Sequence, residues 1–422
     1  MTKKYIYYAF VSILLLTTEI KKVSGQNLKF GFEINDNKRS TTIPFELNSN
    51  LIIVNVLFEG VIPLKFIVDT GVTNTVLIDK TYSDILDIEP DRKLTLVGAA
   101  GIKEVEAYIV NRTSIKVKNI TGNNIPLLIL KEDYLNLQKN LGIKIHGILG
   151  YDFFKNFIVR IDYKNEVMKF YKPEYFNRPM FFYKSIDMKI EHSKPYIFQK
   201  LIINDTTEII SKLMIDTGAS HPLMLHKNSS EYIQLPEKNV RDILGAGIAG
   251  TIEGHAARIP QLSIDKYTLK NVVTNYPDSG AYQDIIKSTG RNGTIGGGVL
   301  KRFRLFFDYG NEKLYLRRNS LIKEGFDHDM SGMTVVAKGE YYLEPYYEVE
   351  KVREGTPAYL AGIRKEDKII SLNGNFGKDL SLQKINETLS KKEGKKIRVK
   401  VKRGEQTLSF TFYLKAFIGS IS

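Results

Sequence analysis

The chain contains no cysteine, so disulfides, attachment of a lipid through a cysteine and thiol nucleophiles are all closed to it. Its stability has to come from buried apolar cores alone. Histidine is scarce, with six in 422 residues. None forms a His-Glu-x-x-His pair, and His221 and His226 lie five apart, off the spacing that puts two ligands on one helix face. No Gly-x-Ser-x-Gly elbow occurs either, which removes the signature of α/β-hydrolase serine chemistry. Blocks of one charge sign are missing as well. The formal charge of +14 comes from Lys and Arg interspersed with Asp and Glu, the pattern of a solvated surface, so no nucleic-acid partner is expected. No apolar run is long enough to cross a bilayer comfortably. The best is Tyr5 to Leu16, preceded by Lys3-Lys4 and followed by Val23-Ser24-Gly25, a small-x-small pattern. Residues 1–25 are therefore expected to be a cleaved secretory signal, with a retained anchor as the alternative. Cleavage would leave an exported protein, periplasmic, cell-surface or secreted and of bacterial type, without a stable membrane span.

What the chain does contain, it contains twice. Phe66-Ile67-Val68-Asp69-Thr70-Gly71-Val72-Thr73 is matched by Leu213-Met214-Ile215-Asp216-Thr217-Gly218-Ala219-Ser220. Each copy reads as an apolar strand that delivers one carboxylate into a tight turn. The surroundings repeat in register. A Gly-rich turn begins 29 residues after each Asp, at Gly98 and at Gly245. A Gly-Ile-Leu-Gly begins 78 residues after Asp69, and a Gly-Thr-Ile-Gly 77 residues after Asp216. Both halves close on an acid and a turn, Arg160-Ile161-Asp162-Tyr163-Lys164-Asn165 and Leu305-Phe306-Phe307-Asp308-Tyr309-Gly310-Asn311. A repeat of this length means a duplicated lobe. The second turn, Gly245-Ala246-Gly247-Ile248-Ala249-Gly250, spells a dinucleotide fingerprint with Asp265 downstream. Gly254 and Pro260 argue against the long helix that such a site needs, so a hairpin is expected instead.

These residues resemble the pepsin and retropepsin clan of aspartic proteases, whose signature is two apolar residues, Asp-Thr/Ser-Gly, a spacer and Ser/Thr, then a later apolar-apolar-Gly strand. The resemblance implies a catalytic pair, Asp69 and Asp216. It implies support from Thr70, Gly71, Thr73, Thr217, Gly218 and Ser220, with the threonines bonding across the lobe interface and Thr73 and Ser220 donating to the outer carboxylate oxygens. It makes the Gly-rich hairpins flaps, with Gly98 and Gly101 in one and Gly245, Gly247 and Gly250 in the other. No cofactor and no metal are implied. The substrate would be an extended polypeptide. Two carboxylates at contact distance share one proton, which makes one a base and the other an acid; the aspartic protease dyad is the standard example of that effect. Val72 and Ala219 follow the two Asp-Thr-Gly triplets and cannot donate a side-chain hydrogen bond, so the shared proton is expected to persist to higher pH than a neighbouring hydroxyl would allow.

From about residue 330 the repeat has no counterpart. Gly355-Thr356-Pro357-Ala358, Ala361-Gly362-Ile363 and Asp367-Lys368-Ile369-Ile370-Ser371-Leu372-Asn373-Gly374 resemble, in the same order, elements of the bacterial PDZ domain. That implies an interaction module, with a peptide or C-terminus as its ligand. The expected architecture is mainly β: a signal peptide at 1–25, two homologous acid-protease-like β-barrel lobes at 26–175 and 176–320, and a C-terminal PDZ-like α+β domain at 330–416. The expected function is hydrolysis of polypeptide bonds by an aspartic endopeptidase. The rival is a polypeptide-binding protein that keeps the cleft without the hydrolysis.

Overall fold

A computed structural model describes residues 30–97, 104–178, 182–247, 250–278, 280, 282–339 and 345–419. The expected signal segment at 1–25 and the flap glycines Gly98 and Gly101 lie outside these residues. Among the described residues the strands form four sheets: nine strands in the first lobe, eight in the second, six shared between the lobes and six in the C-terminal domain. The expected architecture, two β lobes and a PDZ-like α+β domain, is the one observed.

Each lobe starts on the same device. Leu51–Phe58, rich in β-branched residues and buried along most of its length, follows a two-residue turn in which Ser49 and Asn50 both have positive φ, 50° and 68°. In the second lobe Lys194–Asn204 follows His192 and Ser193, with φ of 49° and 64°. Turns of this hand match the twist of the strands they join. The chain returns along Ile62–Val68 in one lobe and Thr207–Ile215 in the other, and each of these strands ends on its Asp.

Each returning strand then acquires a parallel neighbour from far along the sequence. Gly147–Leu149 pairs with Phe66 to Val68, and Gly293–Ile295 pairs with Leu213 to Ile215. Glycine opens both neighbours because the sheet is pinched there. A Cβ on Gly147 would stand 2.5 Å from the Val76 carbonyl oxygen, and one on Gly293 2.1 Å from that of Met224. These contacts account for the repeated Gly-x-x-Gly.

The shared sheet joins the lobes across an approximate twofold. Ile158–Asp162 and Phe303–Asp308 run antiparallel at its centre, with Arg160 opposite Phe306. Each is followed by a strand of its own lobe, Val167–Tyr171 and Lys313–Arg318. Phe170 and Tyr171 lie in one of these strands rather than in a connector between lobes. The repeated acid-and-turn endings now have a cause: Asn165 Nδ2 donates to Asp162 at 2.9 Å and Asn311 Nδ2 to Asp308 at 3.0 Å, closing each hairpin turn.

One apolar core runs through both lobes, and a second fills the PDZ-like domain around Val349, Ile385 and Val399. The two are bolted together by polar contacts. Arg302, almost wholly buried, holds the segment that leads to the PDZ-like domain, donating to the carbonyls of Leu321, Glu324 and Gly325 at 2.7 to 2.9 Å. Arg353 binds Asp242 at 3.1 Å and Asp329 at 2.9 Å, and Glu350 pairs with Lys139. After the last strand the chain comes back to the lobes, where Ile418 is buried in their core.

Candidate active site

The two Asp-Thr-Gly turns meet on the approximate twofold, at the floor between the lobes. Both aspartates receive a backbone bond from the parallel neighbour: Asp69 N donates to Leu149 O and Asp216 N to Ile295 O, each at 2.9 Å. The threonines are fully buried and cross over. The Thr70 hydroxyl donates to Ile215 O at 2.8 Å and accepts from Thr217 N at 3.1 Å, while the Thr217 hydroxyl donates to Val68 O at 2.7 Å and accepts from Thr70 N at 3.1 Å. Four buried hydrogen bonds tie each catalytic loop to the strand that carries the other one.

That lock sets the carboxylates against each other. They lie close enough for the charge of Asp216 to bear on Asp69. Gly71 N donates to Asp69 Oδ1 at 2.6 Å and Gly218 N to Asp216 Oδ1 at 2.9 Å. Neither glycine could be anything larger. A Cβ on Gly218 would lie 2.2 Å from Asp69 Oδ2, and one on Gly71 3.0 Å from Asp216 Oδ2. Burial and the negative charge of Asp216 hold Asp69 well above the usual carboxylate range, against the lowering pull of the Gly71 N–H and of Lys194. Burial also raises Asp216, but the Gly218 N–H and the charge of Arg291 oppose that rise. Both carboxyls are thus held above the usual range, Asp69 the further of the two, as expected of two acids that share one proton.

Thr73 and Ser220 are not brought to this pair. Both side chains face solvent, and neither hydroxyl bonds a carboxylate among the described residues. The turn after each glycine carries these positions outward, so that their backbone carbonyls are what the fold uses: Thr73 O accepts from Asp152 N at 3.2 Å, and Ser220 O from Asn50 Nδ2 at 2.8 Å. Thr75, buried two residues on, does bond a carboxylate, but that of Asp152: its N and hydroxyl both donate to it at 2.9 Å. The second lobe lacks that pair because Pro222 and Gly298 stand at the corresponding positions, and Gly297, where the first lobe has Tyr151, packs with 2.3 Å between its would-be Cβ and Asn50 O. The unlike residues after Gly150 and Gly296 thus have separate structural jobs.

Of the flap glycines, Gly245, Gly247 and Gly250 lie in the hairpin of Asn239–Gly247 and Gly250–Ile264. Gly245, at φ +155°, sits at a break in the ladder register. Gly250, at φ +123°, occupies backbone that other residues resist. Gly98 and Gly101 fall outside the described residues, between the paired strands Arg92–Val97 and Glu104–Val117. Two residues beside the dyad were not expected from the sequence. Lys194 and Arg291 both place positive charge near Asp216, and Lys194 near Asp69 as well. Nothing in their immediate sequence marks them; only a comparison of the two lobes does.

Residues 54–153 and 200–300 each match the aspartyl protease family, and residues 332–414 match the PDZ domain. An aspartic proteinase from Irpex lacteus of known crystal structure is similar at 13% identity over 68% of this chain and 99% of that one, with a TM-score of 0.43. No curated protein sequence matches the chain. The chain thus carries one aspartyl protease family domain in each lobe, each supplying an Asp-Thr-Gly turn to one buried junction, and a PDZ domain behind them.

Proposed function

We propose that the protein is an aspartic endopeptidase that hydrolyses polypeptide bonds with the Asp69/Asp216 pair. The observation that carries this reading is the crossed pair of buried threonines, which sets the two aspartates side by side at one junction. An arrangement with one proton on two acids provides a base and an acid at a single point.

Asp216, ionised, takes a proton from a water molecule, and the hydroxide so formed attacks the scissile carbonyl carbon. Asp69 gives its proton to the carbonyl oxygen, so the tetrahedral intermediate is a neutral diol rather than an oxyanion. Collapse breaks the C–N bond. The nitrogen leaves with the proton held by Asp216, and a diol proton returns to Asp69. No covalent intermediate forms, and the pair ends as it began. The hairpin at 239–264 would close over an extended substrate and satisfy its backbone groups as a neighbouring strand does. The PDZ domain would hold a peptide or C-terminus and present polypeptide to the cleft. The short apolar run at Tyr5 to Leu16 and the Val23-Ser24-Gly25 that follows support an activity outside the cytoplasm.

Digestion of an unstructured protein tests the proposal. Purified residues 26–422 should cleave it, and Asp69→Asn and Asp216→Asn should each slow cleavage by at least about a hundredfold. Equal residual cleavage by all three proteins would instead leave a cleft that binds polypeptide without hydrolysing it.

A further inference from the structure

The two lobes match in backbone but differ in what they place beside the dyad. In the first lobe the flank of Asp69 is aliphatic, a buried cluster of Leu51, Ile53, Ile67, Leu141 and Ile145. Ile53 pairs with Ile67 across the ladder, as Tyr196 pairs with Met214 in the second lobe. Lys194 precedes Tyr196 by two residues as Leu51 precedes Ile53, and Arg291 precedes Gly293 by two as Ile145 precedes Gly147. The equivalence is fixed independently by the next residue along. His146 Nδ1 accepts from Lys65 N, and Asn292 Oδ1 from Lys212 N, both at 2.9 Å. Where one lobe has Leu51 and Ile145, the other has a lysine and an arginine.

Neither cation is neutralised by the protein around it. Arg291 is 5% exposed, and among the described residues no carboxylate forms an ion pair with it. Its Nη1 meets the Met214 sulfur at 3.1 Å, a weak acceptor, and its Nε has no partner. The guanidinium stands 5.7 Å from the centre of the Tyr282 ring. The ammonium of Lys194, half-buried, has no hydrogen bond or ion pair among the described residues. The charges it feels are Arg291, which repels it, and the two catalytic carboxylates. A dyad that shares one proton carries one negative charge, which leaves two neighbouring cations with one charge uncompensated. Burying a cation without a counter-ion costs several kcal/mol, so the site is built for an anion that arrives with the ligand.

Successive side chains of an extended strand point to opposite sides. A substrate laid across the dyad therefore directs the two residues that flank its scissile bond into different lobes. On this basis, and resting on the peptidase reading above, we propose that the cleft selects a bond flanked on one side by an acidic residue whose carboxylate is received by Lys194, with Arg291 behind it. Lys194 is the specificity-determining residue. Arg291 positions it and keeps the pocket positive.

Peptides that differ only at one residue beside the scissile bond decide the matter. They are amidated and made in both orders, Leu-Asp and Asp-Leu, each with an isosteric Asn partner. At a pH where the peptide aspartate is ionised, one order should favour Asp over Asn by about tenfold to a hundredfold in kcat/KM. Lys194→Leu, which installs the first lobe's residue, should bring the Asp-to-Asn ratio to about one, a ratio taken within the variant so that any change in its overall rate cancels, and Lys194→Gln should do the same with less change of polarity. Equal rates for Asp and Asn in the natural protein, or an unchanged ratio in both variants, would overturn the inference while leaving the peptidase reading intact. Should no peptide be cut, the reading of the protein as an enzyme fails. Reduced-amide versions of the same pairs then decide the inference by affinity, with an Asp preference lost in Lys194→Leu expected and equal binding overturning it. A preference confined to peptides that end there in a free carboxylate would assign the pocket to a chain terminus and overturn the side-chain assignment.

Discussion

Asp69 carries a cost that can be measured without any substrate. In the fold its carboxyl is held well above the usual range by burial and by Asp216, whereas in the unfolded chain it titrates near about 3.9. Between those two values the native state keeps a proton that the unfolded state has lost, so stability falls as pH rises across that window. Asp69→Asn keeps an acceptor for the Gly71 N–H and a donor towards Asp216 but has nothing to titrate. Its Tm should exceed that of the natural protein at neutral pH, and the two should converge as the pH drops below the ordinary carboxyl value. A difference that stays constant with pH would mean that the pair shares no proton. The catalytic aspartates and the threonines beside them were legible in the sequence because the motif is repeated with its surroundings. Thr73 and Ser220 were read as donors because residue type alone was visible; the direction in which the turn throws a side chain is set by φ and ψ. Val72 and Ala219 offer no hydroxyl to the pair. What reaches Asp216 at that point is the backbone N–H of Ala219.

The short strands that begin at Gly147 and Gly293 are where the lobes are least tolerant. Each runs between a strand that carries a catalytic loop and the strand that follows it, Val76–Leu77 in one lobe and Leu223–Leu225 in the other. A methyl group on Gly293 would sit inside the Met224 carbonyl and 2.9 Å from Leu225 Cδ2. Gly293→Ala should therefore cost about 1–3 kcal/mol through displaced backbone, with a loss of activity because Ile295 O anchors Asp216. Gly310→Ala serves as the comparison, since nothing lies within 4 Å of its would-be Cβ. Denaturant unfolding of both variants checks this; similar midpoints would show that the sheet opens to admit the methyl. Hairpins and strands of this kind were readable from alternation and turn residues, including the PDZ helix expected at 380–389 and observed at Leu382–Ser390. The pairing of Gly147–Leu149 with a strand some eighty residues earlier is visible only as a repeated Gly-x-x-Gly. Lys194 and Arg291 escaped notice for a related reason: Lys194 lies 22 residues before Asp216 and Leu51 only 18 before Asp69, so ladder register aligns them and sequence spacing does not.

At the scale of the whole molecule, the C-terminal domain is not the detachable module that its place outside the repeat suggests. Deletion of residues 330–422 would be expected from sequence to leave peptide hydrolysis intact, yet it removes Ile418 from the core of the lobes, where only 2% of its surface is exposed. It also removes Arg353, which reaches into the second lobe. Arg353 is mostly buried, lies against the Phe417 ring and bonds Asp329 on its own side and Asp242 on the other. Asp242 belongs to Asn239–Gly247, the first strand of the flap hairpin. The PDZ domain therefore holds the root of this hairpin, and the linkage can be broken at one side chain. Arg353→Ala should raise the rate of amide hydrogen exchange in residues 239–264 by about fivefold, equivalent to the ~1 kcal/mol of a partly exposed ion pair, and change kcat/KM for short peptides that cannot reach the PDZ domain. Arg353→Lys, which retains the charge but cannot bridge both carboxylates in the same fork, should restore part of each effect. Unchanged exchange and unchanged kinetics in Arg353→Ala would make the two domains mechanically independent, and the burial of Ile418 would then be the whole of their coupling.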